Sequence, residues 1–156
     1  MSPMDWAFLP LQRYFTFYGR SPRAEYWWFC LFQVAMSLIT LMIDLLLGLG
    51  VPGAPISTGM LLGLALFFPS LAVSVRRLHD INRSGWTILL YSALYVVPLV
   101  VGGFLSVFLG FIGVVVMVIG VLLVSANYIF LMASEGNPGE NAYGPNPYGL
   151  SYGQRY

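Results

Sequence analysis

The sequence predicts an all-α, polytopic membrane protein with four transmembrane helices, an interfacial N-terminal segment and an irregular C-terminal tail. Three observations carry that prediction. Hydrophobic residues make up 58% of the 156-residue chain and charged residues only 8%, with a mean hydropathy of +0.79. A soluble domain carries roughly a quarter charged residues, so this chain lacks the polar coat a soluble core needs. The apolar residues are gathered into runs long enough to cross a hydrocarbon core of about 30 Å. The polar residues cluster between those runs. The expected organisation is an N-terminal segment over 1–24, a four-helix transmembrane domain over 25–133 and a Gly/Pro/Asn/Tyr-rich tail over 134–156.

In the N-terminal segment, Trp6, Phe8, Leu9, Tyr14, Phe15, Phe17 and Tyr18 suit the membrane surface, where amphipathic rings settle. The segment is too long and aromatic for a signal-peptide n-region, so it reads as uncleaved. Pro10 is expected to interrupt any helix there. Ser21-Pro22 reads as a helix start, a hydroxyl cap followed by proline at the first helical position. Glu25 then suits the positive end of the helix dipole. Span one follows from Tyr26-Trp27-Trp28-Phe29 to Leu49, with Asp44 near its far end as a carboxylate at the interface. Gly50 to Pro55 forms a turn by its punctuation.

Span two is expected from Ser57 to Val75. Gly59 and Gly63 lie four apart on one face, a spacing that allows close helix contact, and Pro69 is expected to kink the span. From Trp86 to Ser134 the chain carries no charged side chain, which fits two spans and a tight turn. They are placed at Trp86–Phe104, kinked at Pro98, and Gly113–Met132, with the turn at either Gly102-Gly103 or Gly110 to Gly113.

Orientation follows from the arginines. Arg13, Arg20 and Arg23 precede span one, and Arg76, Arg77 and Arg83 lie between spans two and three, while the loops after spans one and three have none. The positive-inside rule therefore predicts cytoplasmic termini and a cytoplasmic central loop. Lysine is absent, which coding bias explains more simply than a need for bidentate anion contacts. No basic run could track a phosphate backbone, so a nucleic-acid partner is excluded. The lone Cys30 and the lone His79 build neither a disulfide framework nor a typical zinc site, and no nucleotide-binding or metalloprotease motif occurs. No cofactor is expected.

The densest chemistry is Arg76-Arg77-Leu78-His79-Asp80-Ile81-Asn82-Arg83-Ser84-Gly85-Trp86. If span two continues as helix past Val75, Arg76, His79, Asp80 and Arg83 fall at i, i+3, i+4 and i+7 on one face. Arg76 is then placed to pair with Asp80, and Asp80 or Ser84 to cap span three, with Trp86 anchoring at the headgroups. Arg20, Arg23, Glu25, Glu140 and Asn141 should reach the same membrane face. Two readings fit these residues: an interfacial clamp, in which arginines snorkel and Asp80 neutralises one of them, or a preorganised anion or lipid-headgroup site. A catalytic His79–Asp80 pair is disfavoured, because adjacent helical residues do not face each other and no nucleophile beyond Ser84 is evident.

These motifs resemble those of the domain of unknown function 805 family, the YhaH-like small bacterial inner-membrane proteins. The resemblance rests on Phe17-Tyr18-Gly19-Arg20-Ser21-Pro22-Arg23-Ala24-Glu25-Tyr26-Trp27, on Pro69 with the Arg76–Trp86 run, on Pro98, and on Gly136 with Gly139-Glu140-Asn141-Ala142-Tyr143-Gly144. Pro145-Asn146-Pro147 stands where the family carries an Asp-Pro pair. The resemblance implies topology and inner-membrane location and supplies no reaction. The expected function is a non-enzymatic membrane module. Its cytoplasmic site of Arg20, Arg23, Glu25, Arg76, Arg77, His79, Asp80, Arg83, Ser84, Trp86 and Asn141 would serve an anionic lipid headgroup, a small anion or a partner protein. The alternatives are a small oligomeric channel or transporter and an accessory subunit of a larger membrane complex.

Overall fold

Apolar runs of this length satisfy their backbone groups in lipid only as helices, and the computed structural model, which describes residues 1–50 and 56–149, is built accordingly. Five helices follow in order: α1 (Pro3–Gln12), α2 (Arg23–Leu47), α3 (Thr58–Asp80), α4 (Thr87–Leu109) and α5 (Phe111–Ala133). Among the described residues there is no strand, only an isolated bridge between Asn141 and Gly144. Helices α2 to α5 are each long and apolar enough to cross a membrane, about 35 Å at 1.5 Å per residue. The expected turn at Gly50 to Pro55 lies, apart from Gly50, outside the described residues.

Several boundaries differ from those read off the sequence. Pro10 does not prevent a helix: α1 contains it in its last turn, where the missing N–H costs a single bond. Helix α1 opens on a capping box, with Asp5 N–H donating to Ser2 Oγ at 3.2 Å and Ser2 N–H donating to Asp5 Oδ2 at 2.6 Å. Donation from Ser2, above all from its backbone N–H, holds the Asp5 carboxyl below its ordinary range. The cap of α2 is Pro22, not Ser21, and no side chain bonds there. The cap of α4 is Trp86, neither Asp80 nor Ser84; Ser84 Oγ accepts from Trp86 N–H at 3.3 Å. The turn between α4 and α5 is at Gly110, whose φ of 54° and ψ of −120° are readily available only to glycine.

Helices α2 and α3 form an antiparallel pair fastened at both ends. Helices α4 and α5 form a second, tighter hairpin. A Cβ built on Gly102 would lie 2.4 Å from Met117 Cβ, one on Gly113 would lie 2.1 Å from Ser106 N, and one on Gly120 would lie 2.5 Å from Pro98 Cβ. Small residues at these crossings let the two backbones touch. Tyr91 Oη donates to Asn127 Oδ1, and Tyr95 Oη donates to Ser125 Oγ at 3.1 Å. The glycine pair singled out in span two does no such packing. A Cβ on Gly59 would meet Asp44 Oδ2 at 3.6 Å, and one on Gly63 would meet nothing within 4 Å.

The two hairpins meet at one end, where Tyr26, Phe29, Val73, Leu78 and Met132 form a buried apolar cluster. Around it pack Ile88 of α4 and Tyr128 and Leu131 of α5. Helix α1 lies against the first turns of α2, with the Phe8 and Phe32 rings 5.3 Å apart edge to face. Tyr14 Oη donates to the Ala65 carbonyl. That carbonyl would ordinarily accept from residue 69, but Pro69 has no N–H, so the phenol supplies the donor that the helix cannot.

Candidate functional site

At the end where the hairpins meet, Arg20, Glu25, Arg76, Arg77 and Asp80 are all buried. An unpaired ion there would cost several kcal/mol, so each must find partners, and Asp80 is the hub. Its Oδ1 takes Arg20 Nε at 3.0 Å and Arg20 Nη2 at 2.9 Å; its Oδ2 takes Arg77 Nη1 at 2.5 Å. Asp80 is the last residue of α3, where the helix dipole is negative, and a carboxylate is disfavoured there. Two guanidinium groups overcome that repulsion.

The arginines then reach past Asp80 to the tail. Arg20 Nη1 donates to the carbonyls of Gly139 at 2.6 Å and Gly144 at 3.2 Å, and its Nη2 donates to Asn137 O at 2.5 Å. Arg77 Nε donates to Met132 O at 2.9 Å and its Nη2 to Ser134 O. Arg77 thereby satisfies carbonyls that the end of α5 leaves without helical donors. The tail closes the circuit: Asn137 N–H donates to Asp80 O at 2.9 Å and Asn141 Nδ2 to His79 O at 2.9 Å. A Cβ on Gly136 would come 2.1 Å from Asp80 Oδ2, so only glycine fits over the carboxylate.

A second pair lies beside the first. Arg76 Nη2 meets Glu25 Oε1 at 2.6 Å, and Arg76 Nη1 donates to Thr16 O at 2.5 Å. This pair is less completely satisfied, since Arg76 Nε and Glu25 Oε2 have no hydrogen-bond partner; Arg13 Nη1 stands 3.9 Å from Glu25 Oε2 at the rim. His79 stacks flat on Tyr143, centroids 3.8 Å apart and planes 4° from parallel. Its Nδ1 lies 3.1 Å from Gly19 O. A carbonyl only accepts, so Nδ1 carries the proton.

The structure brings Arg20, Glu25, Arg76, Arg77, His79, Asp80 and Asn141 together, as the sequence suggested, but wires them differently. Arg76 pairs with Glu25, not with Asp80; Asp80 pairs with Arg77 one turn before it and with Arg20. The anticipated face of Arg76, His79, Asp80 and Arg83 is cut short, because α3 ends at Asp80 and Asn82 turns left-handed at φ 57°. Arg83, Ser84 and Trp86 therefore sit outside the cluster and are exposed. Arg23 is at the rim, donating to Ala133 O at 3.3 Å and lying 3.4 Å from Glu135 Oε1. Thr16, Gly19, Asn137, Gly139, Gly144 and Ser134 escaped notice as partners because they contribute backbone carbonyls, which have no sequence signature. Gly19, Gly136, Gly139, Tyr143 and Gly144 nonetheless stand in the motif runs, which could have pointed to them.

Chemically the cluster is a closed, polar knot. Among the described residues no group of three His, Cys, Asp or Glu side chains is placed to hold a metal ion. A polar cleft of about 40 Å³ beside Asp80, lined by Arg23, Glu135, Asn137, Asn146 and Tyr148, is of a size for a water or two.

A family model described as a protein of unknown function (DUF805) matches residues 14–145, which leaves α1 outside the match. Two inner membrane proteins of Escherichia coli (strain K12) are similar to the chain. YhaH is 32% identical over 144 residues, covering 92% of this chain and 97% of its own length. YhaI is 35% identical over 144 residues, covering 92% and 96%. No solved structure matches.

Proposed function

Since this chain belongs to the DUF805 family of proteins of unknown function, with relatives named as inner membrane proteins, we propose that it is a non-enzymatic bacterial inner-membrane module whose arginine end faces the cytoplasm and adheres to anionic lipid headgroups. One observation carries the reading: the arginines divide into two shells. Arg20, Arg76 and Arg77 are buried, with every guanidinium nitrogen but Arg76 Nε donating to carboxylates or backbone carbonyls of the chain itself. Arg13, Arg23 and Arg83 are exposed around them. The inner shell holds the tail over the bundle, and the outer shell presents positive charge at headgroup level beside the exposed Trp27, Trp28 and Trp86, the usual company of an interface.

The polar side chains within the spans support a module without a pathway. Gln33 Nε2 donates to Ser70 Oγ at 2.5 Å, Asp44 accepts from Thr58, and Asn127 accepts from Tyr91. Each is engaged with a neighbouring helix.

Native mass spectrometry of the protein extracted in mild detergent tests the proposal. Each arginine near an anionic surface is worth about 1 kcal/mol. The Arg23→Ala/Arg83→Ala double variant should therefore retain anionic lipid about thirty-fold less well, with neutral lipid unaffected. Equal retention of anionic lipid by the double variant and the parent would reject headgroup adhesion.

A further inference from the structure

Below the linker between α3 and α4 the two helices part to leave a cleft of about 350 Å³, open to the side and lined by Gly63, Phe67, Ser70, Leu71, Ser74 and Ile88. Its two hydroxyls turn their protons away from it: Ser70 Oγ donates to Leu66 O and Ser74 Oγ to Ser70 O at 2.7 Å. The wall is therefore apolar in effect. Gly63 leaves it deep, since a Cβ there would meet nothing within 4 Å. Next to Ser74 of the wall, the linker packs on α3 where Gly85 lies against Val75, with a built Cβ only 3.0 Å from Val75 Cγ1.

Two residues before Gly85 the chain places its least engaged cation. Arg83 is exposed and has no ion pair or hydrogen bond from its side chain among the described residues. Trp86, 76% exposed, lies three residues on, and Ile88 of the cleft wall is less than one further helical turn away. A guanidinium fork matches a phosphate oxygen pair, and an apolar slot beneath it matches methylenes.

Resting on the headgroup reading above, we propose that this place is a discrete phospholipid site. An anionic phospholipid seats its phosphate at Arg83 and lays one acyl chain in the α3–α4 cleft.

The test uses the full chain reconstituted in phosphatidylethanolamine bilayers doped with a phosphatidylglycerol that carries a photoactivatable diazirine on its acyl chain. Cross-linked peptides are mapped by mass spectrometry, with a phosphatidylcholine analogue as the neutral control. The expected result is labelling concentrated on Phe67, Leu71 and Ile88, reduced several-fold by Gly63→Leu, which fills the cleft. Arg83→Ala should remove the preference for the anionic probe at Phe67, Leu71 and Ile88. The map of the unmodified protein decides the matter even if Gly63→Leu fails to fold. Labelling spread evenly over the exposed faces of α2 to α5, with the anionic preference kept, overturns the cleft and leaves headgroup adhesion standing. Equal labelling by anionic and neutral probes overturns both.

Discussion

Helix α3 has a buried carboxylate at each end, and the two are held in opposite ways. At its start, Asp44 of α2 accepts from Thr58 N–H at 2.7 Å, Thr58 Oγ1 at 2.8 Å and Gly59 N–H at 3.2 Å. All these donors are neutral, and they suffice because the N-terminus of α3, whose dipole favours a carboxylate, offsets the opposing dipole of the last turn of α2 in which Asp44 sits. At the other end Asp80 has the dipole against it, and two arginines are needed. The reach differs as well. Asp44 joins residues 14 and 15 apart in sequence. Asp80 and Arg20 join residues 60 apart, and Arg20 also reaches the tail at Asn137, 117 residues from itself. One carboxylate fastens a hairpin; the other closes the chain on itself.

The sharpest way to break that comparison is Asp80→Ala. Two buried guanidinium groups would lose their shared counter-ion, and removing one partner of a buried ion pair costs about 3–5 kcal/mol. Thermal unfolding in detergent should fall accordingly, and limited proteolysis should cut first within the tail after Ser134. An unfolding temperature close to that of the parent, with the tail still protected, would show that the cluster does not hold the tail.

Asp44→Ala should cost less, about 0.5–2 kcal/mol, the range for losing a side-chain acceptor at a helix N-terminus, since Ser57 still caps α3 by accepting from Met60 N–H. Its effect should be local. The tail should stay protected from protease, while hydrogen exchange rises in the first turn of α3. Tail exposure in Asp44→Ala would mean that the two ends are coupled, and the distinction between a local and a global fastening would fall.

The parts of this arrangement that were legible in the sequence are those that lipid imposes. Four apolar runs, the location of the polar cluster at the end of α3, and the convergence of Arg20 and Glu25 on it follow from where charge is tolerated. The wiring was not legible. Asp80 stands i+4 from Arg76 and i+3 from Arg77, and both spacings permit a pair. The choice is made by α2, which presents Glu25 to Arg76. Nor does the sequence tell a glycine that turns the chain from one that admits a neighbour. Gly110 does the first and Gly102 the second, against Met117. Asp44 lies near the far end of α2, as its place in the sequence implies, but its burial depends on Thr58, a residue of the next helix.

The middle of α3 offers a third, uncharged fastening that calibrates the other two. Tyr14 Oη donates to Ala65 O, the carbonyl that Pro69 leaves without a helical donor. Hydrogen bonds between membrane helices average about 0.6 kcal/mol and reach about 1.7, so Tyr14→Phe should destabilise least of the three. The proline allows a stricter check. Pro69→Ala restores an N–H to the helix and gives Ala65 O its ordinary partner, so the phenol becomes redundant. In that background Tyr14→Phe should cost close to nothing, and a double-mutant cycle on unfolding free energies should return a clear interaction between positions 14 and 69. If the two effects simply add, the phenol is not replacing the donor that Pro69 lacks, and the contact owes its place to ring packing of Tyr14 with Phe15 and Phe68.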